Sequence, residues 1–98
     1  MFDQKYKFDA EKPRLDLLPP NALLEVGNVL TYGTNKYAEG SWVNVEKKRY
    51  LAAAMRHIVA YLNHEKLDRE SRQFTLAHAI CDLMFALEMD LVQDTFDF

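Results

Sequence analysis

The most constraining feature of this chain is a segment near its C-terminus that is apolar nearly all the way round. At helical spacing Leu76, Ile80, Leu83, Leu87 and Leu91 form one stripe, and Phe74, Ala77, Cys81, Met84 and Phe85 cover much of the rest. A helix with that pattern needs burial on most of its sides. The chain has 98 residues, one domain's worth, and a domain this short buries only about 60–65% of its unfolded surface. One cysteine allows no intrachain disulfide. Two further helices cannot enclose the third, so copies of the chain are expected to associate and supply the missing burial.

The rest of the sequence supplies those two helices. Leu23, Val26, Leu30, Gly33 and Tyr37 recur at 3-4-3-4 spacing, which predicts a first helix over about residues 21–37 with Asn21 as its N-cap after two prolines. Gly27 and Gly33 each weaken it by roughly 1 kcal/mol, so either another helix or a ligand approaches closely there, or the helix is frayed. After a loop at residues 38–42, a second helix is expected over about residues 45–64, with Tyr50, Leu51, Ala54, Ile58, Tyr61 and Leu62 on its core face. A charged connector at residues 66–70 precedes the third helix, which Asp68 or Ser71 is expected to cap and which should run to about residue 92. Residues 1–20 read as an extended arm, because Pro13, Pro19 and Pro20 forbid a continuous helix. Residues 94–98 read as a loose tail. The expected architecture is a single all-α domain over residues 1–98, a bundle of three main helices with an N-terminal arm, completed by homo-oligomerisation.

Charge narrows the partners. The net charge is −3, so no basic excess suggests DNA binding, and any anion site must be local. No segment has the layout of a signal peptide or the length of a membrane span. The cytoplasm is the expected location, with Cys81 a reduced, buried thiol.

Several polar residues interrupt apolar surroundings. His78 and Asp82 are four apart on one face of the third helix, and Asp82 sits among Ile80, Cys81, Leu83 and Met84. A buried carboxylate needs a cation, a metal or strong donors. Asp82 is therefore a divalent-metal ligand with His78 beside it, or it is paired privately with His78 or with Arg56. Arg49 and Arg56, like His57 and His64, lie seven apart on the second helix. The guanidinium fork suits phosphate oxygens, although Arg49 reads more readily as part of a solvated face. Glu65, Asp68 and Glu70 put three carboxylates in six residues, suited to Mg²⁺ or to a solvated turn. Tyr32, Lys36, Tyr37 and Trp42 can combine base stacking with a phosphate contact, and Lys12 and Arg14 on the arm can meet an anion. The bland reading of Tyr37 and Trp42 is core or interface packing. No P-loop, paired-glycine fingerprint, CxxC or Ser-His-Asp layout is evident.

The run Phe8-Asp9-Ala10-Glu11-Lys12-Pro13-Arg14-Leu15-Asp16-Leu17-Leu18-Pro19-Pro20 resembles the opening of the MazG-like dATP/dGTP diphosphohydrolases of phages and bacteria. The likeness continues in Thr31-Tyr32-Gly33-Thr34-Asn35-Lys36-Tyr37, Trp42, Arg56-His57, residues 65–71 and Leu76-Ala77-His78-Ala79. The resemblance implies an all-α dimer or higher oligomer. It also implies acids that hold Mg²⁺ or Mn²⁺ while water attacks a nucleoside triphosphate, releasing a monophosphate and pyrophosphate. Here Glu65, Asp68 and Asp82 would stand as metal ligands, and His78 and Asp82 as catalytic residues. Lys12, Arg14, Tyr32, Lys36, Tyr37, Trp42, Arg56 and His57 would hold substrate. The second helix has no carboxylate between Arg49 and His64. A second class of function therefore stands beside the first: a small phage protein, working in the host cytoplasm, that sequesters a cyclic nucleotide signal of bacterial immunity and needs no metal.

Overall fold

The computed structural model describes residues 11–96, and within them the chain is helical, with three α-helices. The part of the expected arm at residues 1–10 and the tail residues 97 and 98 lie outside the described residues. Helix α1 spans Pro20–Gly33, α2 spans Lys47–Leu62 and α3 spans Thr75–Phe96. Two short 3₁₀ turns, Leu15–Leu17 and Ser41–Asn44, precede α1 and α2. The arm is thus not extended throughout.

The helix boundaries follow local chemistry. Pro20 opens α1, where its fixed φ fits and its missing N–H removes a donor the helix would leave unpaired. Helix α1 ends at Gly33 rather than at Tyr37, and the Tyr37 N–H caps it by donating to the Gly33 carbonyl at 2.9 Å. Among the described residues neither Gly27 nor Gly33 has another group within 4 Å of where a Cβ would sit, so no close approach among them explains the two glycines. Helix α2 closes in a Schellman motif: the Glu65 N–H donates to Ala60 and the His64 N–H to Tyr61, with His64 left-handed at φ 71°.

The connector replaces the expected cap of α3. Asp68 Oδ2 accepts the N–H groups of Glu70 and Ser71, and Ser71 Oγ accepts that of Gln73. Both side chains therefore organise the turn, and α3 starts later, at Thr75. The Thr75 hydroxyl donates to the Glu65 carbonyl at 2.6 Å, and its N–H donates to the Lys66 carbonyl. An isolated antiparallel bridge joins Leu67 to Phe74. Helix α3 then runs unbroken to Phe96, so residues 94–96 are helix rather than loose tail.

Helix α3 lies antiparallel to α2, as Lys47 pairs with Asp90, Tyr50 meets Phe85 and His57 meets His78. Helix α1 packs on another side of α3 through Val26, Val29, Ala77 and Cys81, with Phe85 against them. The buried side chains of α3 are small: Ala77, Ala79, Cys81 and Ala86. The long stripe faces outward instead, with Leu83 46% and Leu87 58% exposed. On α2 Ala54 is buried, while Leu51, Ile58, Tyr61 and Leu62 of the expected core face are exposed. The radius of gyration is 16.8 Å, against about 13 Å for a compact domain of this length. One copy leaves much of its apolar surface open.

Candidate active-site cleft

A cleft of about 820 Å³ opens where the segment after α1 crosses the α2–α3 pair. Gly40, left-handed at φ 75°, reverses the chain into the Ser41–Asn44 turn. That turn delivers Trp42, whose indole stacks on Phe85 with centroids 4.9 Å apart and planes 11° from parallel. Tyr50 fixes the turn from α2, its hydroxyl donating to the Trp42 carbonyl at 2.8 Å. Tyr37, Trp42, Arg49, Arg56 and Asp82 all line the cleft. It therefore combines aromatic faces, two guanidinium groups and one carboxylate.

Asp82 carries the unusual electrostatics. Its side chain is 16% exposed, and its Oδ2 is buried with no hydrogen-bond partner among the described residues. Burial pushes its carboxyl up to about 6, while the nearby Arg56 charge pulls the other way. Neither Arg49 nor Arg56 forms an ion pair within 4.0 Å among the described residues. These cations are available to an anion.

Behind Asp82 stands a pair of imidazoles. His57 Nε2 lies 3.8 Å from Asp82 Oδ2, and the His57 ring stacks on His78 at 4.8 Å and 19°. Burial lowers the pKa of both, and for His57 the neighbouring His78 adds to the effect. His78 Nε2 is hydrogen-bonded to Ser71 Oγ at 2.6 Å, and Asp68 Oδ2 lies 4.0 Å from the same nitrogen. A nucleophilic triad uses both nitrogens of its histidine; here serine and aspartate share one, so the cluster anchors a ring rather than activating a hydroxyl. The one-face relation expected for His78 and Asp82 resolves differently: His78 turns to Ser71, and Asp82 turns to His57 and the cleft.

The other expected residues divide. Tyr37, Trp42, Arg56 and Asp82 come together at the cleft, and His57 sits directly behind it. Lys36 is instead paired with Glu70 at 2.7 Å, its ammonium 5.8 Å from the Tyr37 ring centre. Tyr32 is half-buried on α1 and does not line the cleft. Lys12 is exposed, and the exposed Arg14 is paired with Asp16 at 2.8 Å. Glu65 is paired with Arg69 at 3.0 Å, and Asp68 is committed to the connector backbone. Among the described residues no three His, Cys, Asp or Glu side chains form a group that could hold a metal ion, so Glu65, Asp68 and Asp82 do not constitute one site within a single copy. Arg49, Tyr50 and Phe85 join the cleft beyond the expected set. The seven-residue spacing to Arg56 was the available signal for Arg49; the two aromatics were indistinguishable from core.

The family comparisons bear on this arrangement. A family model described as dATP/dGTP diphosphohydrolase, N-terminal, matches residues 3–97. The chain is also 35% identical over 79 residues to a protein of Salmonella phage PMBT28 named dATP/dGTP diphosphohydrolase. That match covers 81% of this chain and 27% of the phage protein, so the chain spans about a quarter of its relative's length. No solved structure matches. With 95 consecutive residues matched, the chain belongs to the dATP/dGTP diphosphohydrolase N-terminal family.

Proposed function

We propose that the cleft binds a deoxynucleoside triphosphate and hydrolyses it to the monophosphate and pyrophosphate. The observation that carries this reading is the buried, unpartnered Oδ2 of Asp82 in the same cleft as Arg49 and Arg56. Two arginines give phosphate oxygens charge-assisted donors. Trp42 and Tyr37 offer faces on which a base can stack. Together these residues would suit a ligand that carries both anionic groups and an aromatic ring.

Mg²⁺ or Mn²⁺ fits this donor set as an ion shared with the substrate. Mg²⁺ is commonly held by one or two carboxylates plus phosphate oxygens, and Asp82 supplies one such carboxylate. Bound there, the ion would neutralise phosphate charge and acidify a water. Asp82 would orient that group, the arginines would draw the triphosphate into line, and the neutral His57 and His78 rings would keep bulk water from the buried side of Asp82.

The open apolar faces of α2 and α3 support self-association into a dimer or higher oligomer. Leu83, Leu87 and Leu91 would be covered by a second copy. No helix among the described residues is long and apolar enough to cross a membrane.

Sequestration of a cyclic nucleotide is the second reading. The unpaired arginines and the aromatic faces of the cleft support it, because capture needs only these. One experiment separates the two. Purified chain is incubated with a nucleotide panel and Mn²⁺ or Mg²⁺, and the products are resolved chromatographically. Monophosphate and pyrophosphate support hydrolysis; a cyclic ligand recovered intact after heating the protein supports capture.

A further inference from the structure

The Ser41–Asn44 turn that carries Trp42 is four residues long, and no side chain caps its start at Gly40. Short 3₁₀ turns have poor hydrogen-bond geometry. Two bonds in this one are long: the Val43 N–H reaches the Gly40 carbonyl at 3.4 Å, and the Val45 N–H reaches the Trp42 carbonyl at 3.3 Å. The turn therefore takes its orientation from the helices beneath it. Phe85 of α3 stacks on the Trp42 indole at 4.9 Å, and Tyr50 of α2 leans on the Phe85 ring at 5.1 Å and 52°. The Tyr50 hydroxyl donates to the Trp42 carbonyl at 2.8 Å, shorter than either of those two bonds. Tyr50 thus touches both halves of the stack, with its ring on Phe85 and its hydroxyl on the Trp42 backbone. All three residues line the cleft.

We propose that Tyr50 is a positioning residue for nucleotide binding: its hydroxyl holds Trp42 in the orientation from which the indole stacks on the base. The inference rests on the cleft being a nucleotide site with Trp42 as a base platform. A platform ordered only when the ligand arrives loses affinity to side-chain and loop entropy. The Tyr50 bond does that ordering in the free protein. Arg49 and Arg56 stand on α2 itself and do not depend on the turn. Tyr50 should therefore govern the base and leave the phosphates alone.

Tyr50→Phe removes the hydroxyl and keeps the ring. The Trp42 carbonyl retains the Val45 N–H, so the fold tolerates the loss, which circular dichroism checks. Two probes are titrated calorimetrically into the wild-type chain, Tyr50→Phe, Trp42→Ala and the double variant: α,β-methylene dATP, which resists cleavage, and tripolyphosphate, which has no base. Tyr50→Phe and Trp42→Ala should each weaken nucleotide binding about fivefold or more, the low end of what a base–aromatic stack is worth. Tripolyphosphate should bind all four proteins alike. The double variant should lose no more than Trp42→Ala alone, as expected when one residue acts through the other. Trp42 is the sole tryptophan, and its fluorescence in unliganded Tyr50→Phe should become more accessible to acrylamide. Nucleotide affinity unchanged in Tyr50→Phe, losses that add in the double variant, or an equal loss of tripolyphosphate would overturn the positioning role. A wild-type chain that binds nucleotide no tighter than tripolyphosphate would overturn it too and leave the cleft an anion site. Binding of neither probe would overturn the cleft reading as well.

Discussion

Asp82 Oδ2 lies 3.8 Å from His57 Nε2 and accepts no hydrogen bond from it. The proximity does not amount to an ion pair. Asp82 keeps its proton up to about pH 6, while burial and the stacked His78 make His57 shed its own proton below the ordinary imidazole range. Around neutrality a carboxylate therefore faces an uncharged ring. This arrangement leaves Asp82 without a partner on its buried side and available on its cleft side.

The first expected outcome is a stability gain on removing that carboxylate. A carboxyl displaced from 3.8 to about 6 corresponds to about 3 kcal/mol of destabilisation once ionised. The unfolded chain releases this proton first, so the penalty is absent below pH 4 and grows as pH rises through 6. Asp82→Asn should therefore raise the melting temperature at pH 8 and change it little at pH 4. The histidines act in the opposite sense. Their folded pKa values lie below 6.5, so stability falls as pH drops through that window. In Asp82→Asn this acid loss is no longer offset, and the melting curve between pH 7 and 5 should steepen. Calorimetry across pH 4–8 checks both.

Arg56→Ala should weaken nucleotide binding by tenfold or more, about 1.4 kcal/mol, because phosphate loses a charge-assisted donor in the cleft. Lys36→Ala should cost less than threefold. Its ammonium is held by Glu70, and an exposed pair of this kind is worth only about 0.2–1 kcal/mol to break. Isothermal titration of both variants ranks them, and a reversed order would move the phosphates toward the end of α1.

The architecture was legible in the sequence to the extent that periodicity carries it. The helical stripes and the prolines before α1 yield three helices in the right places. Periodicity does not say which stripe faces inward. On α3 the sequence marks Leu76, Ile80, Leu83, Leu87 and Leu91, yet the narrow interface with α1 selects Ala77 and Cys81, because small side chains let the helices approach. The cap of α3 was misplaced for a similar reason: Asp68 and Ser71 are good caps for any turn, and here they close the connector. Within the site, Asp82 and Arg56 stood out as charges in apolar runs. Arg49 did not, since its neighbours are charged, and the stacking of Trp42 on Phe85 depends on a chain reversal that sequence spacing does not encode.

The outward leucines lead to another expected outcome. Leu87→Glu should shift the assembly toward monomer without loss of helix content, because Leu87 is 58% exposed in one copy and is not one of the buried cluster Val26, Val29, Ala77 and Cys81. Sedimentation velocity with circular dichroism reads both quantities. A wild-type chain that is already monomeric at micromolar concentration would contradict self-association.

The most direct measurement of the central claim is turnover of deoxynucleoside triphosphates by the wild-type chain and Asp82→Asn with Mg²⁺ or Mn²⁺. Monophosphate and pyrophosphate are quantified, and nucleotide affinity is measured in parallel. The account expects wild-type turnover, its loss in Asp82→Asn, and affinity retained within about tenfold, or 1.4 kcal/mol, since the amide keeps the shape of the cleft and loses its anion. Turnover undiminished in Asp82→Asn, or a wild-type chain that binds nucleotide yet forms no product with either metal, would contradict it.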